Sequence, residues 1–302
     1  MHLPNFQKYS DKFNAYAICD NKGSRAKNIA SLYGASIATT DFNEIIADPK
    51  VDLVIITTRH DSHAGLSLKA LNAGKHVMVE KPLAVNQLEI DKIKAFYKDG
   101  FENKPVLFVG FNRRYSKYAR EIKKHTDKRI NPLFIRYRMN GGYIPLDSWI
   151  HDHGGRIVGE SCHLIDLMTY FTESKIVNIH SESLTPANEK FSEDDNKSIV
   201  LKYEDGSVCE IDYFAVGSKS FPKKYMEIHF DEKTIVLNDY KSLEGYGVKI
   251  KAHTEKHSQK GQKEEILELY NSITQHSNHW PIEFWDMVQT TEATFQIMNL
   301  EN

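Results

Sequence analysis

Three groups of side chains in this 302-residue chain are of the kinds and spacings that could move a proton or steady a charged oxygen. The first is Glu80-Lys81-Pro82, directly after the apolar run His76 to Val79. Side chains at the carboxyl end of a parallel strand enter the crevice where such sheets bind ligands. Pro82 fixes its own φ and restricts the residue before it, so the chain itself constrains Lys81. An ammonium group there can hydrogen-bond an alcohol or carbonyl oxygen and offset charge developing on it. The second group lies in the mostly apolar stretch Arg156 to Met168, where Glu160, His163 and Asp166 recur at i, i+3 and i+6 and so share one helix edge. Histidine suits proton transfer near neutral pH, and an adjacent carboxylate can orient its ring. The third is the run Gly110 to Tyr115, which would bring Asn112 and one of Arg113 or Arg114 to the same crevice mouth. Taken singly, each also has a plain structural reading: a loop lysine, a satisfied core histidine, a basic surface turn.

The elements that must position these groups are readable. Short apolar runs at Ala15 to Cys19, Val51 to Thr57, His76 to Val79 and Val106 to Phe111 alternate with amphipathic stretches, which predicts β-α-β units feeding a parallel sheet covered on both faces. Between them, helices are expected over Ser24 to Tyr33 and His63 to Ala73, with Gly34 and Gly74 as left-handed caps. Another starts at a capping-box-like Asn86 and Glu89 and buries Ile90, Ile93, Phe96 and Tyr97. Beyond about residue 125 the period changes to strict alternation, as in Leu133, Ile135, Tyr137 and Met139. Asp205-Gly206 joins two such runs as a hairpin turn would, and Met226, Ile228 and Phe230 repeat the pattern. Helices are expected over Arg156 to Phe171, 263–276 and 281–299, and Lys251 to Lys263 is polar enough for a mobile loop. The fold class is therefore α/β: a Rossmann-like doubly wound parallel sheet over residues 1–112, then an α+β domain over 113–302 with a large, mostly antiparallel open sheet.

At roughly 150 residues per domain, the length fits two domains. With 39 Lys plus Arg against 41 Asp plus Glu, the charge of -2 supplies no global field for nucleic acid or an anionic membrane. Cys19, Cys162 and Cys209 are too few and too scattered for a disulfide framework, which points to a reducing cytoplasm. No apolar span of membrane length is present, and the opening residues are too polar for a signal peptide. His60 with His63, or His151 with His153, offer a zinc-hydrolase reading, but no recognised ligand spacing accompanies them. Asp20, ending the first strand, can accept hydrogen bonds from an adenosine ribose, as in NAD sites; Asn21, Lys22 and Arg25 leave room for the extra phosphate of NADP.

The order of these signals, Asp20, then Thr57-Thr58 with His63, then Glu80-Lys81-Pro82, then Gly110 to Arg114, then Gly154-Gly155 with Glu160, His163 and Asp166, resembles the glucose-fructose oxidoreductase / inositol dehydrogenase / rhizopine catabolism (Gfo/Idh/MocA) family over essentially the whole chain. The resemblance implies an NAD(P)-dependent oxidoreductase acting on a sugar, cyclitol or sugar derivative. It implies that Lys81 hydrogen-bonds the reacting oxygen and His163 exchanges its proton. Thr57, Thr58, His63, Glu80 and Asn112 would then line the cofactor side, and Arg114, Asn140, Tyr143, Trp149 and Asp166 would contact substrate. No metal is implied, and association into a dimer or tetramer through the second-domain sheet is.

Two departures stand out. Many members carry an aspartate four residues before the histidine; here that position is Gly159, with Glu160 one residue later as the possible stand-in. The family also begins with a strand and a glycine-rich loop that meets the pyrophosphate, whereas Met1 to Asn5 read as the helix that should follow them. The absent strand would be the central one, and about five side chains at roughly 1.5–3 kcal/mol each amount to ~10 kcal/mol of lost burial, comparable to a whole domain's ~5–15 kcal/mol. The sequence thus reads as an amino-terminally shortened form of a longer chain. A competing expectation is a non-catalytic binding or regulatory protein on the same scaffold.

Overall fold

The structure is a computed structural model that describes residues 2–250, 254–274 and 280–299. In the first half, α1 (His2–Gln7) precedes β1 (Ala17–Cys19), α2 (Gly23–Tyr33), β2 (Ile37–Thr39), α3 (Phe42–Ala47), β3 (Leu53–Ile56), α4 (His63–Asn72), β4 (His76–Val79), α5 (Gln87–Tyr97) and β5 (Leu107–Val109). Local chemistry sets the helix ends. Gly34 takes φ 71 and returns its amide to Ala30, the left-handed cap that its missing side chain permits. Asn86 accepts from the Glu89 amide at 3.0 Å, while the Glu89 carboxylate reaches back to the Val85 amide at 3.0 Å, one residue beyond the usual box. Ile90 and Ile93 on α5 are fully buried, each contributing about 1.5–3 kcal/mol by leaving water.

The strands of this half form two parallel sheets rather than one. β1 pairs with β2, and β3, β4 and β5 pair in that order, but no strand among the described residues bonds β1 to β3. A groove of about 1840 Å³ runs beside both edges, lined from Ala15 to Asp20 on one side and from Val51 to Thr58 on the other. The interruption falls between β1 and β3.

The second half contains α6 (Lys117–Thr126), β6 (Phe134–Asn140), α7 (Cys162–Thr172), β7 (Ile176–Ser183), β8 (Lys197–Tyr203), β9 (Val208–Phe214), β10 (Lys224–Phe230), β11 (Lys233–Asn238), β12 (Ser242–Tyr246), α8 (Gln262–Thr274) and α9 (Phe284–Met298). Its seven strands lie in the order β12-β11-β10-β6-β9-β8-β7, antiparallel except where β6 runs parallel to β9. Gly206, at φ 93, closes the hairpin between β8 and β9. Inward side chains alternate strictly along β9 and β10, and α7 covers that face with Leu164, Ile165, Leu167, Met168 and Phe171. A single π-helical stretch, Ile157–Ser161, leads into α7.

Two hydrophobic cores result, and the closing helix α9 bridges them. Ile266 and Leu269 of α8 join the first core, whereas α9 places Met287, Val288 and Phe295 in the first and Ala293 and Ile297 in the second. Residues 251–253 of the expected mobile loop, and 275–276 of the expected helix, lie outside the described residues. The rest of that loop is tethered: Thr254 bridges to Ser242, and the Gln259 amide bonds the Tyr240 carbonyl at 2.9 Å. Among the described residues, no helix is long and apolar enough to cross a membrane.

Candidate active site

Strand β4 ends at Val79, and the next residues carry the first candidates. Glu80 is met by the imidazole of His2 at 2.5 Å. Burial alone would raise the Glu80 proton affinity, but His2 and the Lys81 charge together hold its carboxyl below the ordinary range. Lys81, half-buried and followed by a cis peptide bond to Pro82, donates from Nζ to the Gly159 carbonyl at 2.5 Å. That carbonyl lies in the π-helical turn leading to His163, so the lysine of the first half reaches the element that carries the histidine of the second. The His163 ring is only 8% exposed, packs edge-on against Phe111, and its Nδ1 has no partner among the described residues. Burial, and then the positive charges of Arg113, Lys81, Lys224 and Lys260, push its proton affinity well below the ordinary histidine range. His163 is therefore a neutral ring, able to accept a proton.

The space beside Gly159 explains the absent aspartate. A Cβ at this position would stand 2.7 Å from the His60 ring, which fills the place where a side chain would project. Burial and the Lys81 charge bring His60 down to about 4, so it too is a neutral group at neutral pH. His60 also packs edge-on against Trp149, whose ring lies under the Arg59 guanidinium.

Several expected contacts are corrected by the geometry. Glu160 does not attend His163: its carboxylate accepts from the Tyr213 hydroxyl at 2.6 Å and Lys223 at 2.9 Å, with Arg156 at 3.4 Å. The π turn breaks the helical period on which the shared edge with His163 rested, and the carboxylate faces the seven-stranded sheet instead. Burial would raise its proton affinity, but the Lys223 charge, the hydrogen bonds from Tyr213 and Lys223, and the Arg113 charge bring it down to about 2. Asp166 and Arg114 are not directed at substrate either; they bond each other in the interior, and Arg114 also holds Asp286 of α9 at 2.8 Å. Both ring nitrogens of His63 face backbone carbonyls, Pro82 at 2.7 Å and Thr58 at 3.1 Å, so this buried ring braces the loop rather than lining a cofactor. Among the described residues, no three His, Cys, Asp or Glu side chains group as a metal site.

Of the other candidates, Asp20, Thr57 and Thr58 line the groove between the two parallel sheets. Asp20 accepts from the Lys22 amide at 2.8 Å and from Arg25 at 3.2 Å. Thr57 and Thr58 are exposed beyond β3, and the Thr58 hydroxyl accepts from Ser62. Asn112 donates to the Lys260 carbonyl at 3.0 Å, tying the end of β5 to the segment before α8. Asn140 donates to the Ser218 carbonyl at 2.7 Å, which makes it a loop anchor, and Tyr143 packs on Phe191.

Asp20, Thr57 and Thr58, lining the groove at strand ends, are of the kinds that could hydrogen-bond a dinucleotide's ribose. Among the described residues, no glycine-rich turn lines the groove beside β1 and β3. Residues 1–111 match the profile described as "Oxidoreductase family, NAD-binding Rossmann fold", and residues 133–296 match its C-terminal alpha/beta domain. The chain belongs to the Gfo/Idh/MocA oxidoreductase family. A myo-inositol 2-dehydrogenase of Thermotoga maritima is 25% identical over 217 residues, 70% of this chain and 64% of that protein. A 4-carboxy-2-hydroxymuconate-6-semialdehyde dehydrogenase of a Sphingobium species is 30% identical over 68% of this chain and 65% of its own length. The chain thus spans less than two thirds of either relative. An oxidoreductase domain protein from Kribbella flavida superposes with a TM-score of 0.84 at 20% identity, covering 99% of this chain and 92% of that one.

Some residues at this Gfo/Idh/MocA site escaped the reading of the sequence. Lys224 is inward-facing and 4% exposed, and its parity with Met226, Ile228 and Phe230 along β10 was the available signal. Glu265, buried on α8, is pushed well up by burial and by the Glu80 charge, and nothing in its local sequence marks it.

Proposed function

We propose that this protein is an NAD(H)-dependent dehydrogenase of a sugar- or cyclitol-like alcohol, with Lys81 and His163 at the reacting carbon. The observation that carries the reading is the approach of Lys81 to the helical turn of His163, at 2.5 Å from Nζ to the Gly159 carbonyl. Bound nicotinamide supplies hydride acceptance or donation. The chain's own groups handle the charge and the proton. An ammonium has three donors; one rests on Gly159, and two remain for the alcohol oxygen. His163, neutral and held at the junction of the two cores, takes the hydroxyl proton as the oxygen becomes a carbonyl and returns it in reduction. Phe111 on the ring limits water access.

Names of relatives support the substrate class: inositol and scyllo-inositol dehydrogenases among sequences, and a UDP-N-acetylglucosamine 3-dehydrogenase among solved structures. The open face of the seven-stranded sheet, bearing Arg136 paired with Glu210, is where we place self-association into a dimer or tetramer, which sedimentation checks. Turnover followed by NADH absorbance over a panel of sugars, cyclitols and sugar nucleotides tests the site. Lys81→Met and His163→Ala are each expected to slow it at least ~100-fold, within the 10²–10⁴ range typical of acid-base groups; near-normal rates in both would remove the assignment. The split sheet favours one second reading, a non-catalytic binding protein, for which no substrate in the panel would turn over.

A further inference from the structure

Two histidines stand close together after β3, and the fold uses them differently. His63 commits both ring nitrogens to backbone carbonyls, whereas neither nitrogen of His60 has a hydrogen-bond or ion-pair partner among the described residues. Packing alone holds the His60 ring. It meets the His63 ring at 5.8 Å and the Trp149 ring at 5.4 Å between centres, and its tip is seated against Gly159, 2.7 Å from where a Cβ would stand. The Arg59 guanidinium, 5.1 Å from the Trp149 ring centre, steadies that wall. His60 is half-buried, so its nitrogens are neither sealed in the interior nor given over to water.

Gly159 joins this ring to the lysine of the site. Its carbonyl takes Lys81 Nζ at 2.5 Å, and His60 Nδ1 is 3.3 Å from its Cβ position, so with standard backbone dimensions the two nitrogens stand at most about 9 Å apart. Two hydrogen bonds of about 2.8 Å, one at each end of a vicinal diol, cover a span of that order. The His60 ring is uncharged at neutral pH and so offers one N–H donor and one lone pair. A hydroxyl, itself donor and acceptor, matches such a ring, whereas a carboxylate uses only its donor. A seat that fixes a polar ring by packing and leaves its nitrogens unspent is the preorganisation that a binding group needs.

We propose that His60 contacts substrate and selects for a hydroxyl beside the reacting one, so that a vicinal diol is preferred and its deoxy counterpart is disfavoured. This rests on the dehydrogenase reading for the oxygen on Lys81, but the His60 contact is a binding interaction and needs no hydride transfer. A grip on one oxygen leaves a cyclitol or sugar ring free to turn about it. A second grip on the next oxygen fixes which carbon is presented. The deoxy compound binds less well because it leaves the half-buried imidazole without a partner.

Calorimetry of the full chain, with and without NADH, tests the contact with two pairs of probes: myo-inositol and a deoxyinositol lacking one neighbouring hydroxyl, and D-glucose and 2-deoxy-D-glucose. In at least one pair the diol is expected to bind about tenfold more tightly than its deoxy partner. His60→Leu keeps the bulk of the ring and removes its nitrogens; the preference should fall to within about twofold, with the loss on the diol. His60→Gln restores a donor and an acceptor and should recover most of the preference. Gly159→Ala, whose Cβ would drive the ring from its seat, should erase it by a second route. Equal affinities within both pairs, a preference unchanged in His60→Leu, or no binding of either diol up to about 100 mM would overturn the proposal. Turnover is read separately. Diol and deoxy compounds oxidised alike would keep the dehydrogenase reading and lose this one, and a His60-dependent diol preference without turnover would do the reverse.

Discussion

The two sheets of this molecule obey the same rules and reach opposite outcomes. In the seven-stranded sheet every central strand has a neighbour on both sides, and β9 and β10 bury every second side chain almost completely. In the first half, β5 is buried at all three positions, whereas β1, with β2 on one side and the groove on the other, buries none. Polarity does not separate them, since Ala17, Ile18 and Cys19, like Leu107, Phe108 and Val109, include no charged or amide side chain. A strand's burial is set by what lies beside it, and the candidate groups Lys81 and His163 stand on the well-packed side of the divide.

Hydrogen exchange gives the largest expected contrast. Amides of β1 and β2 should exchange through local opening about 1,000-fold faster than those of β6 and β9, which need global unfolding; comparable protection in both would erase the distinction. Arg114→Met should cost about 3–5 kcal/mol in chemical denaturation, because it leaves the carboxylates of Asp166 and Asp286 buried without their cation. That clamp joins the end of the first half to α7 and α9, so its loss should loosen both cores together.

The Glu160 carboxyl is depressed from 4.5 to about 2, so its contribution of about 3 kcal/mol is full above pH 4.5 and is lost as pH falls toward 2. Glu160→Gln should therefore flatten acid unfolding of the second half across that window; an unchanged slope would show the contacts to Tyr213 and Lys223 to be idle. An apolar strand and glycine-rich turn fused ahead of Met1 should tighten NADH about tenfold by calorimetry and slow exchange in β1. Equal affinity with and without the extension would mean the groove is irrelevant to cofactor. Smallest is Lys94→Ala, which breaks an exposed pair with Glu292 between α5 and α9 and should shift stability by less than about 1 kcal/mol.

Much of the scaffold was legible before any coordinates. His76–Val79, the Gly34 cap, the Asn86 start and the Asp205-Gly206 hairpin are local signals, and local signals survive packing. What stayed hidden depended on distant partners. β2 is three residues long, and β7 is bulged after Ile176 and buries none of its side chains, so neither declares a period. Lys81 and His163 were singled out by their sequence surroundings, and the fold carries Lys81 onto the turn that precedes His163. Glu160 turns away from His163 because it sits in a π turn, whereas Asp166 shares α7 with His163 and is drawn inward by Arg114, a partner far off in sequence. Lys224 needed only the parity of its own strand.

The His60 ring lying where a residue-159 side chain would project has a consequence for how this site can change. Neither position is free to vary alone: a bulkier group at 159 demands a smaller one at 60, and shrinking 60 opens a void against the helix that bears the imidazole. Any lineage or library that explores this pocket should therefore show the two positions exchanging volume in tandem, a signature that single-site scans would miss.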